Sequence, residues 1–272
     1  MGRIADRFAT LRKRGEVALV PFLMAGDPDL GVTKELIRVA AASGADLLEI
    51  GVPFSDPTAD GPVLQRSAYR ALQRGASLPR IIELVTDLRG ELDLPLILFG
   101  YYNPIFHYGV QAFCRDARQA GIDGLLVVDL PPEEADELWR PARDAGLDLV
   151  FLLAPTSDQN RVRAVLRRAS GFVYYVSMTG VTGSRPITPA DVRPAVEWVR
   201  SQCRLPIGVG FGITSGAEAA AVASFADAVI VGTSVMRLVE SANGEVDVVA
   251  RVGAFIRELK AATRLRGAAV AR

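Results

Sequence analysis

Eight short apolar runs recur along this chain, each followed by a segment of helical periodicity, and this alternation constrains the fold more than any other feature. The runs lie at 17–24, 46–50, 95–99, 124–128, 147–153, 172–177, 206–210 and 227–231. A strand covered by helices on its outer side and packed on its inner side reads as apolar at successive positions, as 47, 48 and 50 do. Helices are expected up to 42 and over 62–74, 79–90, 109–119, 132–144, 158–169, 188–201, 214–223, 233–239 and 246–263. Crossovers of this length join parallel strands. Gly44-Ala-Asp, Gly121-Ile-Asp and Gly146-Leu-Asp recur before strands, each pairing a helix-ending glycine with a turn-favouring aspartate. The expected fold is therefore α/β, a (β/α)8 TIM barrel, rather than an open doubly wound sheet. The absence of an early Gly-x-Gly-x-x-Gly also weighs against the dinucleotide-binding alternative. Ile4, Phe8 and Leu11 add a short amphipathic helix before the first strand, closed by Gly15.

No linker-like tract divides the 272 residues, so 1–263 reads as one barrel domain, with 264–272 as a small, basic, frayed tail. Lys and Arg together equal Asp and Glu at 31 each, which gives no support to a nucleic-acid or membrane-surface role. Cys114 and Cys203 fit neither a disulfide framework nor a zinc site and read as reduced thiols of a cytoplasmic protein. The one histidine, His107, is read as a surface residue on a loop. The N-terminus lacks a signal-peptide pattern, and no apolar run is long enough to span a bilayer.

Two carboxylates stand out. Glu49 interrupts an apolar strand near its end, where a buried charge must be neutralised, paired or put to use. Asp60 follows eleven residues later, on a loop stiffened by Pro53 and Pro57. Asp60 and Asp56 could equally cap the next helix. In a (β/α)8 barrel the site lies at the C-terminal ends of the strands. Phe22, Glu49, Tyr101, Asp129 and Tyr174 all fall at or near such ends. Tyr101 and Tyr174 could serve packing alone, and Asp129 could cap its own turn. Gly180-Val-Thr-Gly183, Gly210-Phe-Gly212 and Gly232-Thr-Ser234 follow the last three strands. Backbone N–H groups on such loops, with a short extra helix after strand eight, make a phosphate site. The residues alone describe a barrel that binds a small phosphorylated substrate and carries two carboxylates for acid–base work.

The stretch Leu48-Glu-Ile-Gly-Val-Pro-Phe-Ser-Asp-Pro-Thr-Ala-Asp-Gly61 closely resembles the signature of the tryptophan synthase α subunit family. So do Ala25-Gly-Asp-Pro28, Tyr102-Asn-Pro104, Val128-Asp-Leu-Pro131 and the three glycine motifs, in order along nearly the whole chain. Two departures are visible: Thr58 replaces a usual aliphatic residue, and Thr233-Ser234 stands where Ser-Ala is usual. The resemblance implies a lyase that cleaves indole-3-glycerol phosphate to indole and glyceraldehyde 3-phosphate. It implies Glu49 and Asp60 as the catalytic pair, with Phe22 and Tyr174 flanking the indole. Tyr101, Asp129, Thr182, Gly183, Gly212, Gly232, Thr233 and Ser234 complete the expected substrate site, Thr182 as a lid residue and the glycines with Ser234 around phosphate. No metal and no cofactor are expected in this chain. The implied partner is a pyridoxal-phosphate β subunit in an α2β2 assembly, docked through the 53–57 loop and the 101–104 region. The rival readings are a stand-alone indole-releasing lyase, a non-catalytic phosphate-ligand barrel and a sugar-phosphate isomerase.

Overall fold

The computed structural model describes residues 2–176, 188–210 and 212–264. Eight parallel strands close into a barrel in sequence order: β1 (Ala18–Met24), β2 (Leu48–Gly51), β3 (Leu96–Gly100), β4 (Gly124–Val127), β5 (Asp148–Leu153), β6 (Val173–Val176), β7 (Ile207–Gly210) and β8 (Ala228–Val231). Each lies within two residues of its expected place. Helix α1 (Arg3–Arg14) precedes the barrel, and α2 (Leu30–Ala42) follows β1. Next come α3 (Pro62–Gln73), α4 (Leu78–Arg89), α5 (Tyr102–Tyr108), α6 (Val110–Ala120), α7 (Asp136–Ala145) and α8 (Gln159–Arg168). The chain continues through α9 (Pro189–Gln202), α10 (Gly216–Ala223), α11 (Thr233–Glu240) and α12 (Glu245–Thr263). None of the described helices is long and apolar enough to cross a membrane.

Two cores follow from strand alternation. Outward residues such as Leu19, Leu48, Ile50, Leu98 and Leu125 pack under the helices. Inward residues, among them Val20, Leu47, Ile97, Leu126, Val150, Phe172 and Ile230, fill the barrel. Ile4, Phe8 and Leu11 of α1 join this inner cluster, with the Phe8 and Phe172 rings 5.8 Å apart, so α1 plugs the N-terminal mouth. Strand β7 contributes only Gly208 and Gly210 to the interior register. A Cβ at Gly208 would lie 2.8 Å from Ile230 and 3.2 Å from the Phe172 ring, so these glycines make room for large neighbours on β6 and β8.

The N-terminal rim carries a repeated clasp. Asp46, just ahead of β2, accepts the Leu19 N–H of β1 at 2.8 Å. Asp123, ahead of β4, accepts the Leu96 N–H of β3 at 3.0 Å. Ser170 Oγ, ahead of β6, accepts the Leu149 N–H of β5 at 2.9 Å. Asp227, ahead of β8, accepts the Ile207 N–H of β7 at 3.0 Å. Asp46, Asp123 and Asp227 thus bridge to the preceding strand rather than shaping only their own turns. The glycines before 46, 123 and 148 are left-handed as expected, with φ of 100° at Gly44, 94° at Gly121 and 77° at Gly146. Cations back the carboxylates: Lys260 sits 2.8 Å from Asp46, Arg3 3.0 Å from Asp123 and Arg200 2.8 Å from Asp227.

Two local expectations are corrected. His107 lies exposed on helix α5, not on a loop. Pro104 is tolerated in the first turn of α5 because an N–H there would have no intrahelical acceptor, while the Tyr102 N–H is bonded by Asp129 at 2.8 Å and Ile105 buries the inner face. Helix α7 begins at Asp136 rather than 132, after turns through the Pro131-Pro132 pair.

Candidate active site

A cavity of 460 Å³ opens at the C-terminal ends of the strands. Its floor is the uppermost inward layer of the barrel: Phe22 from β1, Glu49 from β2, Phe99 from β3, Tyr174 from β6, Gly210 from β7 and Ile230 from β8. Parallel register sets Phe22 opposite Glu49, and Tyr174 opposite Gly208. The Phe22 and Phe99 rings meet edge to face with centroids 5.2 Å apart. Two glycines make these aromatic walls possible. A Cβ on Gly51 would fall 2.4 Å from the Phe22 ring, and one on Gly210 would fall 2.3 Å from the Tyr174 hydroxyl.

Glu49 is 1% exposed, and its Oε1 has no hydrogen-bond partner. Burial alone pushes its carboxyl up to about 8, so at neutral pH it is mostly protonated. The Tyr174 phenol beside it is also raised, first by burial and then by the Glu49 charge. Asp60 stands at the mouth, ahead of Gly61, the N-cap of α3. Burial raises it as well, to about 6, and the Tyr101 hydroxyl, which donates to its carboxylate, works against that rise. The same hydroxyl accepts the Ala59 N–H at 3.0 Å, and the Tyr101 ring packs 5.2 Å from Phe54. Tyr101 therefore holds the Asp60 loop from behind without lining the cavity.

On the other side of β1, Gly232, Thr233 and Ser234 open α11, whose first-turn N–H groups are oriented for an anion. Gly212, with φ of +39°, has no atom within 4 Å of where a Cβ would stand, leaving its backbone approachable. Ser234 Oγ donates to the Ile213 carbonyl at 2.5 Å. The cavity thus has an acid–base end and an anion end joined by aromatic walls.

Of the expected residues, the cavity brings together Phe22, Glu49, Asp60, Tyr174, Gly212, Gly232, Thr233 and Ser234. Asp129 is not among its lining; its carboxylate is engaged as the cap of α5. Thr182 and Gly183 lie outside the described residues. Thr58 contributes to the mouth, and Leu64, Phe99, Val176, Ile213 and Ile230 are lining residues that sequence reasoning missed. Phe99 ends an apolar run and Phe22 lies two residues from the end of one, so the strand-end criterion that selects Phe22 also reaches Phe99.

Residues 8–264 match the family described as tryptophan synthase alpha chain. A tryptophan synthase alpha chain of Geotalea uraniireducens is 51% identical over 267 residues, covering 98% of this chain and 100% of that protein. One from Geobacter sp. strain M21 is 52% identical over 260 residues, covering 96% and 97%. The crystal structure of tryptophan synthase subunit alpha from Legionella pneumophila superposes with a TM-score of 0.91 at 37% identity, covering 97% of this chain and 98% of that one.

Proposed function

This chain belongs to the tryptophan synthase alpha chain family, and we propose that the cavity at its C-terminal rim is where the retro-aldol cleavage of indole-3-glycerol phosphate takes place. The enzyme is a carbon–carbon lyase of tryptophan biosynthesis, releasing indole and glyceraldehyde 3-phosphate.

The observation that carries the assignment of roles is two carboxyls in one cavity, Glu49 buried on its floor with an unbonded oxygen and Asp60 at its mouth. At neutral pH Glu49, near 8, keeps its proton, and Asp60, near 6, has lost it. Glu49 gives its proton to indole C3. Positive charge then spreads to the ring nitrogen, where the Asp60 carboxylate accepts the N–H and stabilises it. The Glu49 carboxylate takes the proton of the C3′ hydroxyl as the C3–C3′ bond breaks. The bonding pair returns to the ring as indole, and the alkoxide carbon becomes the aldehyde of glyceraldehyde 3-phosphate. One proton leaves Glu49 and one returns, so the residue ends as it began. Phe22 and Phe99 form one wall against the indole plane and Tyr174 another. Gly212, Gly232, Thr233 and Ser234 receive the phosphate, for which the Ser234 hydroxyl must leave the Ile213 carbonyl.

The catalytic unit is one barrel domain over 1–263 and needs no cofactor of its own. Its expected partner is a β subunit carrying pyridoxal phosphate, in an α2β2 assembly. The exposed Ser55–Asp56 loop and Phe106, 56% exposed on α5, supply a docking face on the same rim as the cavity. A cytoplasmic location suits a phosphorylated metabolite.

The test is indole release from indole-3-glycerol phosphate by the purified chain, with and without a β subunit. Slow release that the partner accelerates is expected. Fast unaided release would instead assign a stand-alone lyase, and no release in either case would leave only a phosphate-binding barrel.

A further inference from the structure

The cavity separates its proton-transfer end from its anion end, and each end is attached to a different helix. Asp60 and Gly61 lead into α3, while Gly232, Thr233 and Ser234 open α11. These two helices pack on each other and on β1. A chain of charged groups crosses the junction away from the cavity. Asp27, 1% exposed on the loop after β1, accepts both Arg70 Nε at 2.9 Å and Arg70 Nη2 at 2.7 Å. The Ser67 hydroxyl donates to the same carboxylate. The third nitrogen of Arg70, Nη1, reaches Glu240 Oε1 at 3.0 Å. Glu240 is the last residue of α11 and also takes a bidentate pair from Arg66, at 2.7 and 2.9 Å. Arg66, Ser67 and Arg70 all belong to α3.

We propose that Arg70 and Glu240 are positioning residues that fix the separation between the carboxylate end and the phosphate end of the cavity. The planar fork of Arg70 is the joint: two nitrogens hold the β1 loop and the third holds α11, an arrangement a lysine ammonium cannot reproduce. The two arginines hold the Glu240 carboxylate ionised, pushed down to about 2. The β1 loop is itself wedged in place. Gly26, at φ +92°, lies so close to α3 and the turn after it that an added Cβ would be 3.2 Å from the Ala71 Cβ and 2.4 Å from the Ala76 Cβ. A substrate gripped at both ends responds to the distance between them, whereas a ligand gripped at one end does not.

The inference rests on the lyase reading, and its test separates the two. Glu240→Gln and Arg70→Lys are compared with the wild-type protein using glycerol 3-phosphate, which reaches only the anion end, and an uncleavable 3-indolylalkyl phosphate, which spans both. Both affinities are measured by calorimetry, with kcat and KM for cleavage measured alongside. Each variant is expected to keep its glycerol 3-phosphate affinity within about twofold while losing about tenfold in kcat/KM and in affinity for the spanning ligand. The double variant should fall no further than Arg70→Lys alone, because the two residues act in one chain. Equal weakening of both ligands would overturn the proposal. So would a lowered Tm with an unchanged ratio of affinities, since that is what a plain structural ion pair gives. A wild-type protein that releases no indole overturns the lyase reading instead, and the ratio of the two affinities still decides the strut.

Discussion

Glu49 shows what one residue's surroundings can do to its chemistry. A carboxyl raised from its ordinary 4.5 to about 8 binds its proton more tightly in the folded protein than in the unfolded chain. Its contribution to stability is therefore fully present below about 4.5 and is lost as pH rises through about 8. Glu49→Gln should flatten the stability profile across that window, as measured by denaturant melts at pH 5 and pH 8. It should also lower cleavage by about 10³-fold; near-normal turnover would remove Glu49 from the mechanism. With Asp60 near 6 and Glu49 near 8, the wild-type rate should follow a bell with its maximum between them. Tyr101→Phe deletes a hydroxyl that lowers the Asp60 pKa and holds the Ala59 N–H. The acid limb of the bell should move to higher pH, with a stability loss of about 1 kcal/mol. An unshifted acid limb would mean that Asp60 does not set it.

At the scale of elements, β7 is the informative strand. Gly210→Ala would drive a methyl into the Tyr174 hydroxyl, 2.3 Å from the ideal Cβ position. Cleavage should fall by at least about tenfold through a displaced wall, with the barrel's circular dichroism unchanged. Full activity would show that Tyr174 can swing away freely. The sequence already displayed the strands, their order and the carboxylate pair, because apolar runs and prolines speak for themselves locally. It displayed Gly210 too, but as part of a phosphate loop. Its neighbour in space, Tyr174, lies 36 positions earlier and pairs in register with Gly208, so only the packing of the folded barrel reveals that Gly210 clears room for an aromatic ring. The bond of Asp129 is hidden for the same reason: its partner is the N–H of Tyr102, which opens α5 one βα unit earlier. Phe99 is legible in principle, since it nears the end of β3 as Phe22 nears the end of β1.

For the molecule as a whole, the two rims divide the work. The C-terminal rim keeps a buried acid with one unbonded oxygen, while the N-terminal rim gives its acids several partners each. Asp123, 3% exposed, bonds the Leu96 N–H and sits 3.0 Å from Arg3 and 3.4 Å from Arg89. Asp123→Ala leaves a buried N–H and a half-buried guanidinium uncompensated and should cost about 3 kcal/mol in chemical denaturation. The kcat of the surviving folded fraction should not change, and a variant as stable as wild type would show that the rim tolerates the loss. The clasps of that rim also have a grain. Each ties an odd strand to the even strand after it, and none of the four ties an even strand to the odd one that follows. The barrel is thus sewn from four double-stranded staves, and a polypeptide severed between staves keeps every stitch within one piece. Two halves expressed separately and divided between β4 and β5 should reassemble into an active ring more readily than halves divided between β5 and β6, where the cut parts Leu149 from Ser170.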